Sequence, residues 1–164
     1  MSSLAQDVVA ELTRRGLTIA VAESLTGGLL VAELVSVPGA SVVVNGGVVA
    51  YNTALKRSLL GVDARLLAEH GAVHPDVAGQ MASGVRTACA VEGIPAAIGI
   101  ATTGVAGPDP QDGQPVGTVF VGISSDAGTS ILSLRLEGSR QAIREAVVFE
   151  SLVELKKILT SPAN

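Results

Sequence analysis

The stretch Thr18-Ile19-Ala20-Val21-Ala22-Glu23-Ser24-Leu25-Thr26-Gly27-Gly28-Leu29 decides how the rest of this chain is read. Thr18 to Ala22 is a short apolar run rich in β-branched residues, the pattern of a strand buried on both faces. Glu23-Ser24-Leu25-Thr26-Gly27-Gly28 breaks that run. Leu29 to Val35 then reads as a helix, ended by Pro38-Gly39. A buried strand turning directly into a helix is the building unit of an α/β sheet.

Upstream, Ser3 caps a helix running to about Arg15, with Leu4, Val8 and Leu12 at helical spacing. Arg14, Arg15 and Gly16 suit its C-terminus. Downstream, Ser41 to Tyr51 is β-rich but interrupted by Asn45-Gly46-Gly47. That triplet fits a hairpin turn or a bulge within one strand, and the reading favours a strand centred on Gly47 to Ala50. Thr53 to Leu60 reads as a short helix closed by Gly61, and Asp63 caps another reaching about His70. Pro75 opens a helix to about Val91, with Val77, Met81, Val85 and Cys89 on one stripe. Ala96 to Thr102 is an apolar strand, followed by a loop from Thr103 to Gly117 dense in Gly, Pro and Asp. Strands at Val116 to Ser124 and Ser130 to Leu136 flank Asp126-Ala127-Gly128, a hairpin signal. A last helix covers about Ser139 to Leu159, with Val148, Leu152, Leu155 and Leu159 at helical spacing and Phe149 and Val153 beside them. These elements predict an α/β fold: a three-layer α/β/α sandwich on a mixed, mostly parallel sheet of about five strands, one domain over residues 1–164.

Apolar residues make up 48% of the 164 and charged residues 16%, which excludes a disordered chain. With a net charge of −4, no Lys/Arg run, and only Tyr51, Phe120 and Phe149 as aromatics, nothing suits a nucleic-acid partner. Cys89 is the one cysteine, so no disulfide forms within the chain; a buried structural thiol is expected. No signal-peptide pattern opens the sequence, and no apolar run reaches the roughly 20 residues of a membrane span, so a soluble cytoplasmic protein without membrane contact is expected. His70 and His74 stand in no metal-ligand spacing and suit surface or capping roles. Neither a metal nor a cofactor is called for.

Four segments carry possible chemistry. Ser24 stands where ligands gather, beyond the carboxyl end of a strand, with the unpaired amides of a helix start near Thr26, Gly27 and Gly28. The same residues also fit a plain helix cap. Tyr51 and Lys56 lie about one helical turn apart; a neutral lysine there could activate a serine, while a solvated surface pair is the plainer alternative. The loop Thr102-Thr103-Gly104-Val105-Ala106-Gly107-Pro108-Asp109, continuing to Gly117-Thr118, can cradle a phosphate or a ribose with backbone amides, or form a structural turn. Arg140 begins the last helix, where a cation opposes the dipole; it suits an anion ligand as well as an exposed surface arginine. Arg144 follows one turn on.

In order and spacing, four blocks resemble the CinA C-terminal domain family, the nicotinamide-nucleotide amidohydrolases. They are Ala22 to Gly28; Gly47 to Asn52 with Lys56 and Leu60-Gly61-Val62; Gly71-Ala72-Val73; and Thr103 to Pro108 with Pro115 to Val119. The resemblance implies hydrolysis of the carboxamide of nicotinamide mononucleotide to nicotinate mononucleotide and ammonia. It implies Ser24 as nucleophile with Lys56 and Tyr51 assisting. No metal or cofactor is implied, and self-association into a homo-oligomer is. Leu25 replaces the cysteine usual after the serine, and His74 stands where a serine commonly follows Gly-Ala-Val. A non-catalytic nucleotide-binding module, in line with the family's association with competence, is the rival expectation.

Overall fold

The structure is a computed structural model describing residues 1–161. Its elements are α1 (Leu4–Arg15), β1 (Ile19–Glu23), α2 (Leu29–Val35), a 3₁₀ turn (Ala40–Val42), β2 (Val44–Val49), α3 (Thr53–Leu60), α4 (Ala64–His70), α5 (Pro75–Ala88), β3 (Ile98–Gly104), β4 (Thr118–Ser125), β5 (Gly128–Arg135) and α6 (Arg140–Thr160). The sheet order is β2-β1-β3-β4-β5. β1 pairs in parallel with β2 and β3, and β4 pairs antiparallel with β3 and β5. Four strands therefore run one way and β4 alone runs back, the expected mixed and mostly parallel sheet.

Local chemistry sets the element ends. Ser3 and Gln6 form a reciprocal capping box on α1, and Gly16 closes it in the left-handed conformation. Asp63 accepts from the Arg65 and Leu66 amides to start α4, and Pro75 occupies the first turn of α5. The Asn45-Gly46-Gly47 triplet makes no hairpin. β2 runs through it as one strand, and the register against β1 slips between Ile19 and Ala20, opposite Val44 and Gly46. The bulge wins because β1 holds the strand on both sides of the glycines.

The two sheet faces differ in bulk. Ile19, Val21, Ile98, Ile100, Val119 and Val121 point into a core closed by α1, α2 and α6. The opposite face presents Ala20, Ala22 and Ala101 to α5. There Gly99 and Gly122 lie directly beneath the Ala82 and Ala78 carbonyls, with no room for a Cβ. Small residues on both partners let α5 approach closer than branched side chains would. α5 ends at Ala88, short of the expected Val91, because Val91 and Ile94 form a turn bridge with Glu92 and Gly93 at positive φ. On α6 the buried apolar residues are Ile143, Val147, Leu152, Leu155 and Leu159, while Phe149 and Val153 are exposed. Cys89 is half-buried at the end of α5, and burial raises its thiol pKa.

Candidate active site

The topology brings distant segments to one sheet edge. Because β1, β2, β3 and β5 run the same way, Ser24, Tyr51, Gly104 and the start of α6 all follow strand carboxyl ends. The order β2-β1-β3 also reverses direction beside β1, the switch point at which α/β sheets open a crevice. The backbone ties the edge together: the Ser24 amide donates to the Thr102 carbonyl at 3.0 Å, and the Ala50 amide to the Glu23 carbonyl at 2.9 Å.

Glu23 is wholly buried, and its carboxylate accepts from the amides of Gly28 (3.1 Å), Leu30 (3.0 Å) and Val31 (2.9 Å). It therefore occupies the positive end of α2 that the sequence suggested for a ligand. The Gly27 amide is spent as well, donating to the Ser24 carbonyl at 3.1 Å. The expected free amides of Gly27 and Gly28 are thus not free. Among the described residues, the amides left without a protein acceptor in this turn belong to Leu25 and Thr26.

Lys56 comes from the first turn of α3, whose Asn52 caps the Ala54 amide. Helical side chains lean toward the N-terminus of their helix, which carries the Lys56 stem back under the Ala50-Tyr51 corner. Its Nζ donates to the Ala50 carbonyl at 2.7 Å and to Ser24 Oγ at 3.0 Å. Lys56 is 0% exposed and Ser24 8%. Burial pushes the lysine pKa down to about 8, against the charge of Asp112, which pulls it up. No carboxylate pairs with Lys56 among the described ion pairs. The arrangement is a hydroxyl held against an amine whose basicity burial has lowered, the requirement for a serine nucleophile with a lysine base.

Tyr51 makes no hydrogen bond to this pair among the described residues. It is 60% exposed, and its hydroxyl accepts from Arg140 Nη2 at 3.0 Å rather than facing Ser24 or Lys56. Arg140 Nη1 also donates to the Gly107 carbonyl at 2.6 Å. Ser24, Tyr51, Gly104, Ala106, Gly107 and Arg140 line one cleft of about 160 Å³. Thr26, Gly27, Gly28 and Thr103 lie outside that lining. Thr26 is buried with its hydroxyl 2.8 Å from that of Thr102, and the Thr103 hydroxyl donates to the Ala72 carbonyl at 2.7 Å. These threonines tie strand ends together, a use that local sequence does not reveal. A larger groove of about 410 Å³, lined by Leu29, Phe149 and Leu152 among others, shares no residue with the cleft.

Two further residues shape the site. The Asp112 carboxylate accepts from the Ala72 amide at 2.9 Å, so the loop before β4 is latched to Gly71-Ala72-Val73. Gly71, at φ +73°, leaves the space that the Asp112 carboxylate fills. Arg144 donates to the carbonyls of Leu25 and Thr26. A charged residue closing an apolar strand was the available signal for Glu23; Asp112 left none. His74 caps α5 through Nδ1 and stacks on His70, as their expected capping and surface roles suggest. Among the described residues, no group of three or more His, Cys, Asp or Glu could hold a metal ion, and no helix is long and apolar enough to cross a membrane.

Comparison with known proteins places the fold in a family. The model of the CinA C-terminal domain matches residues 1–159. A CinA-like protein of Frankia casuarinae is 46% identical over 162 residues, covering 99% of this chain and 36% of that protein. The chain thus spans about a third of the length of such relatives. Among solved structures, a competence-damaged protein (CinA) superfamily protein of Klebsiella pneumoniae superimposes with a TM-score of 0.89 at 32% identity, covering 95% of each chain. The competence/damage inducible protein CihA of Agrobacterium tumefaciens gives 0.87 at 33% identity, covering 98% of this chain and 100% of that one. With the family model matched over nearly the whole chain, 46% identity to a relative and close superposition on solved members, the chain belongs to the CinA C-terminal domain family.

Proposed function

We propose that this domain is an amidohydrolase that converts nicotinamide mononucleotide to nicotinate mononucleotide and ammonia through an acyl-Ser24 intermediate. The observation that carries the reading is the buried Lys56 amine held 3.0 Å from Ser24 Oγ at a strand carboxyl end. Neutral Lys56 takes the Ser24 proton as Oγ attacks the carboxamide carbon. The C–N bond breaks, and the proton passes from Lys56 to the leaving nitrogen, which departs as ammonia. Water then adds to the ester with Lys56 again accepting a proton, and the acid and Ser24 are released.

The amides of Leu25 and Thr26 are the free donors for the oxyanion. Each well-placed donor contributes roughly 3–4 kcal/mol in enzymes where one has been removed. Arg140 and the Gly104 to Gly107 backbone bind ribose and phosphate at the mouth, with Tyr51 holding the guanidinium. The cationic pyridinium of the substrate withdraws electrons from the carboxamide and favours the neutral lysine across the cleft.

The test is ammonia release from nicotinamide mononucleotide by the purified chain in the presence of EDTA, alongside Ser24→Ala. Turnover by the unmodified protein and none by the variant supports the reading. Binding without product in both would leave a nucleotide-binding module. Undiminished turnover by Ser24→Ala would remove the nucleophile.

A further inference from the structure

Arg144 reaches from α6 to the turn that follows Ser24, 119 residues earlier in the chain. Its Nε donates to the Leu25 carbonyl at 2.8 Å and its Nη2 to the Thr26 carbonyl at 3.2 Å. No carboxylate pairs with it among the described ion pairs, so both contacts go to bare backbone. Two parallel donors in a rigid fork are what an arginine supplies and a lysine does not. Room for the fork is kept by Gly27, where a Cβ would stand 3.3 Å from Nη2.

The consequence follows from peptide geometry. A trans peptide is planar, and its carbonyl and amide point in opposite directions. Holding the Leu25 carbonyl toward α6 turns the Thr26 amide away from α6. The flanking units are fixed as well: the Ser24 carbonyl accepts from the Gly27 amide, and the Thr26 carbonyl from the Leu29 amide at 3.0 Å. Within this turn the Thr26 amide points away from Arg144 and lacks a protein acceptor among the described residues, next to Leu25 in the cleft lining.

We infer that Arg144 is a positioning residue that locks the Leu25–Thr26 peptide so that its amide meets the oxyanion formed when Ser24 adds to an acyl carbon. Arg144 touches no reacting atom. As Oγ bonds to carbon, the carbonyl π pair moves onto oxygen, and the aimed amide stabilises that charge until the leaving group departs. The inference rests on the acyl-transfer reading of Ser24.

The experiment compares unmodified protein with Arg144→Lys and Arg144→Ala, using two readouts. One is kcat and KM for nicotinamide mononucleotide. The other is phosphonylation of Ser24 by a fluorophosphonate, followed by intact mass. There the Oγ–P bond forms, the P–F bond breaks, fluoride leaves, Lys56 takes the proton, and the phosphoryl oxygen occupies the oxyanion position. Removing an oxyanion donor outright costs about 10²–10³ in kcat, so mis-aiming one is expected to cost about 30- to 100-fold. KM should change little, labelling should slow in parallel, and the Arg144→Lys thermal midpoint should stay within a few degrees. Millimolar guanidinium should restore part of the Arg144→Ala rate. Turnover and labelling within twofold of the unmodified protein would overturn the inference, as would a change in KM alone or a loss that follows the thermal midpoint. Labelled Ser24 without ammonia release defeats the substrate reading, and the labelling rates alone then decide on Arg144. Failure of the unmodified protein to label overturns the inference as well.

Discussion

Lys56 Nζ stands 3.0 Å from Ser24 Oγ, although 32 positions separate them in the chain, and the lysine is sealed from solvent. The contact joins the end of β1 to the first turn of α3, so the catalytic competence proposed for Ser24 depends on how α3 docks.

That burial has a kinetic signature. With a pKa of about 8, roughly one lysine in ten is neutral at pH 7. The rate term kcat/KM should therefore rise about tenfold per pH unit below about pH 8 and level off above it. Asp112 pulls the lysine pKa upward, so Asp112→Asn should move the inflection to lower pH. A profile measured from pH 6 to 9.5 that is flat, or that shifts upward in Asp112→Asn, contradicts the lysine-base account.

The same group links stability to pH. In the unfolded chain Lys56 releases its proton near 10.5, in the folded chain at about 8. Between those values the unfolded state binds more protons, so stability rises with pH through that window, and the full cost applies below it. The shift corresponds to at most about 3.5 kcal/mol. Lys56→Met should abolish turnover yet match or exceed the unmodified stability by about 1–2 kcal/mol at pH 7, with the Ala50 carbonyl left unpaired offsetting the rest. Urea unfolding at pH 7 and pH 10 checks this: the advantage should shrink at the higher pH.

Arg140 is braced by the Gly107 carbonyl and the Tyr51 hydroxyl at the cleft mouth. Arg140→Ala should raise KM for nicotinamide mononucleotide by about tenfold or more, the worth of one lost charge-assisted pair. For the riboside, which lacks phosphate, KM should barely change. Equal losses on both substrates would place Arg140 in the scaffold rather than against phosphate.

The seat of α5 is a stability prediction without a catalytic partner. A methyl at Gly99 or Gly122 would run into the Ala82 or Ala78 carbonyl. Gly99→Ala and Gly122→Ala should each cost about 2–3 kcal/mol or more in urea unfolding, as overpacking does. At Gly16, where φ is +65° and the surrounding space is open, alanine should cost only about 1 kcal/mol of backbone strain. Similar losses at all three positions would show that helix-to-sheet spacing is not what the glycines protect.

Much of the site was legible as separate pieces and not as an assembly. Ser24, Lys56 and Arg140 each stood out, yet each had an ordinary alternative as a cap or a surface charge. Tyr51 was expected beside the serine, but its hydroxyl turns to Arg140, a partner 89 residues away. The amides of Gly27 and Gly28 looked free because an isolated helix start leaves them so; Glu23 and the Ser24 carbonyl claim them in the fold. On α6 the expected stripe of Val148, Leu152, Leu155 and Leu159 did not include Ile143 and Val147, which packing buries while leaving Phe149 exposed.

The amino-acid sequence by itself determined the helix caps, the strand-helix alternation and the family. Caps, glycine turns and apolar periodicity act over a few neighbouring residues, where chain order and space coincide. Tertiary structure alone decided whether Asn45-Gly46-Gly47 would bend into a hairpin or bulge, which amides remain open beside Ser24, and that Lys56 sheds its solvent. Those outcomes depend on hydrogen-bond partners and burial contributed from dozens of residues away, and no local propensity carries them.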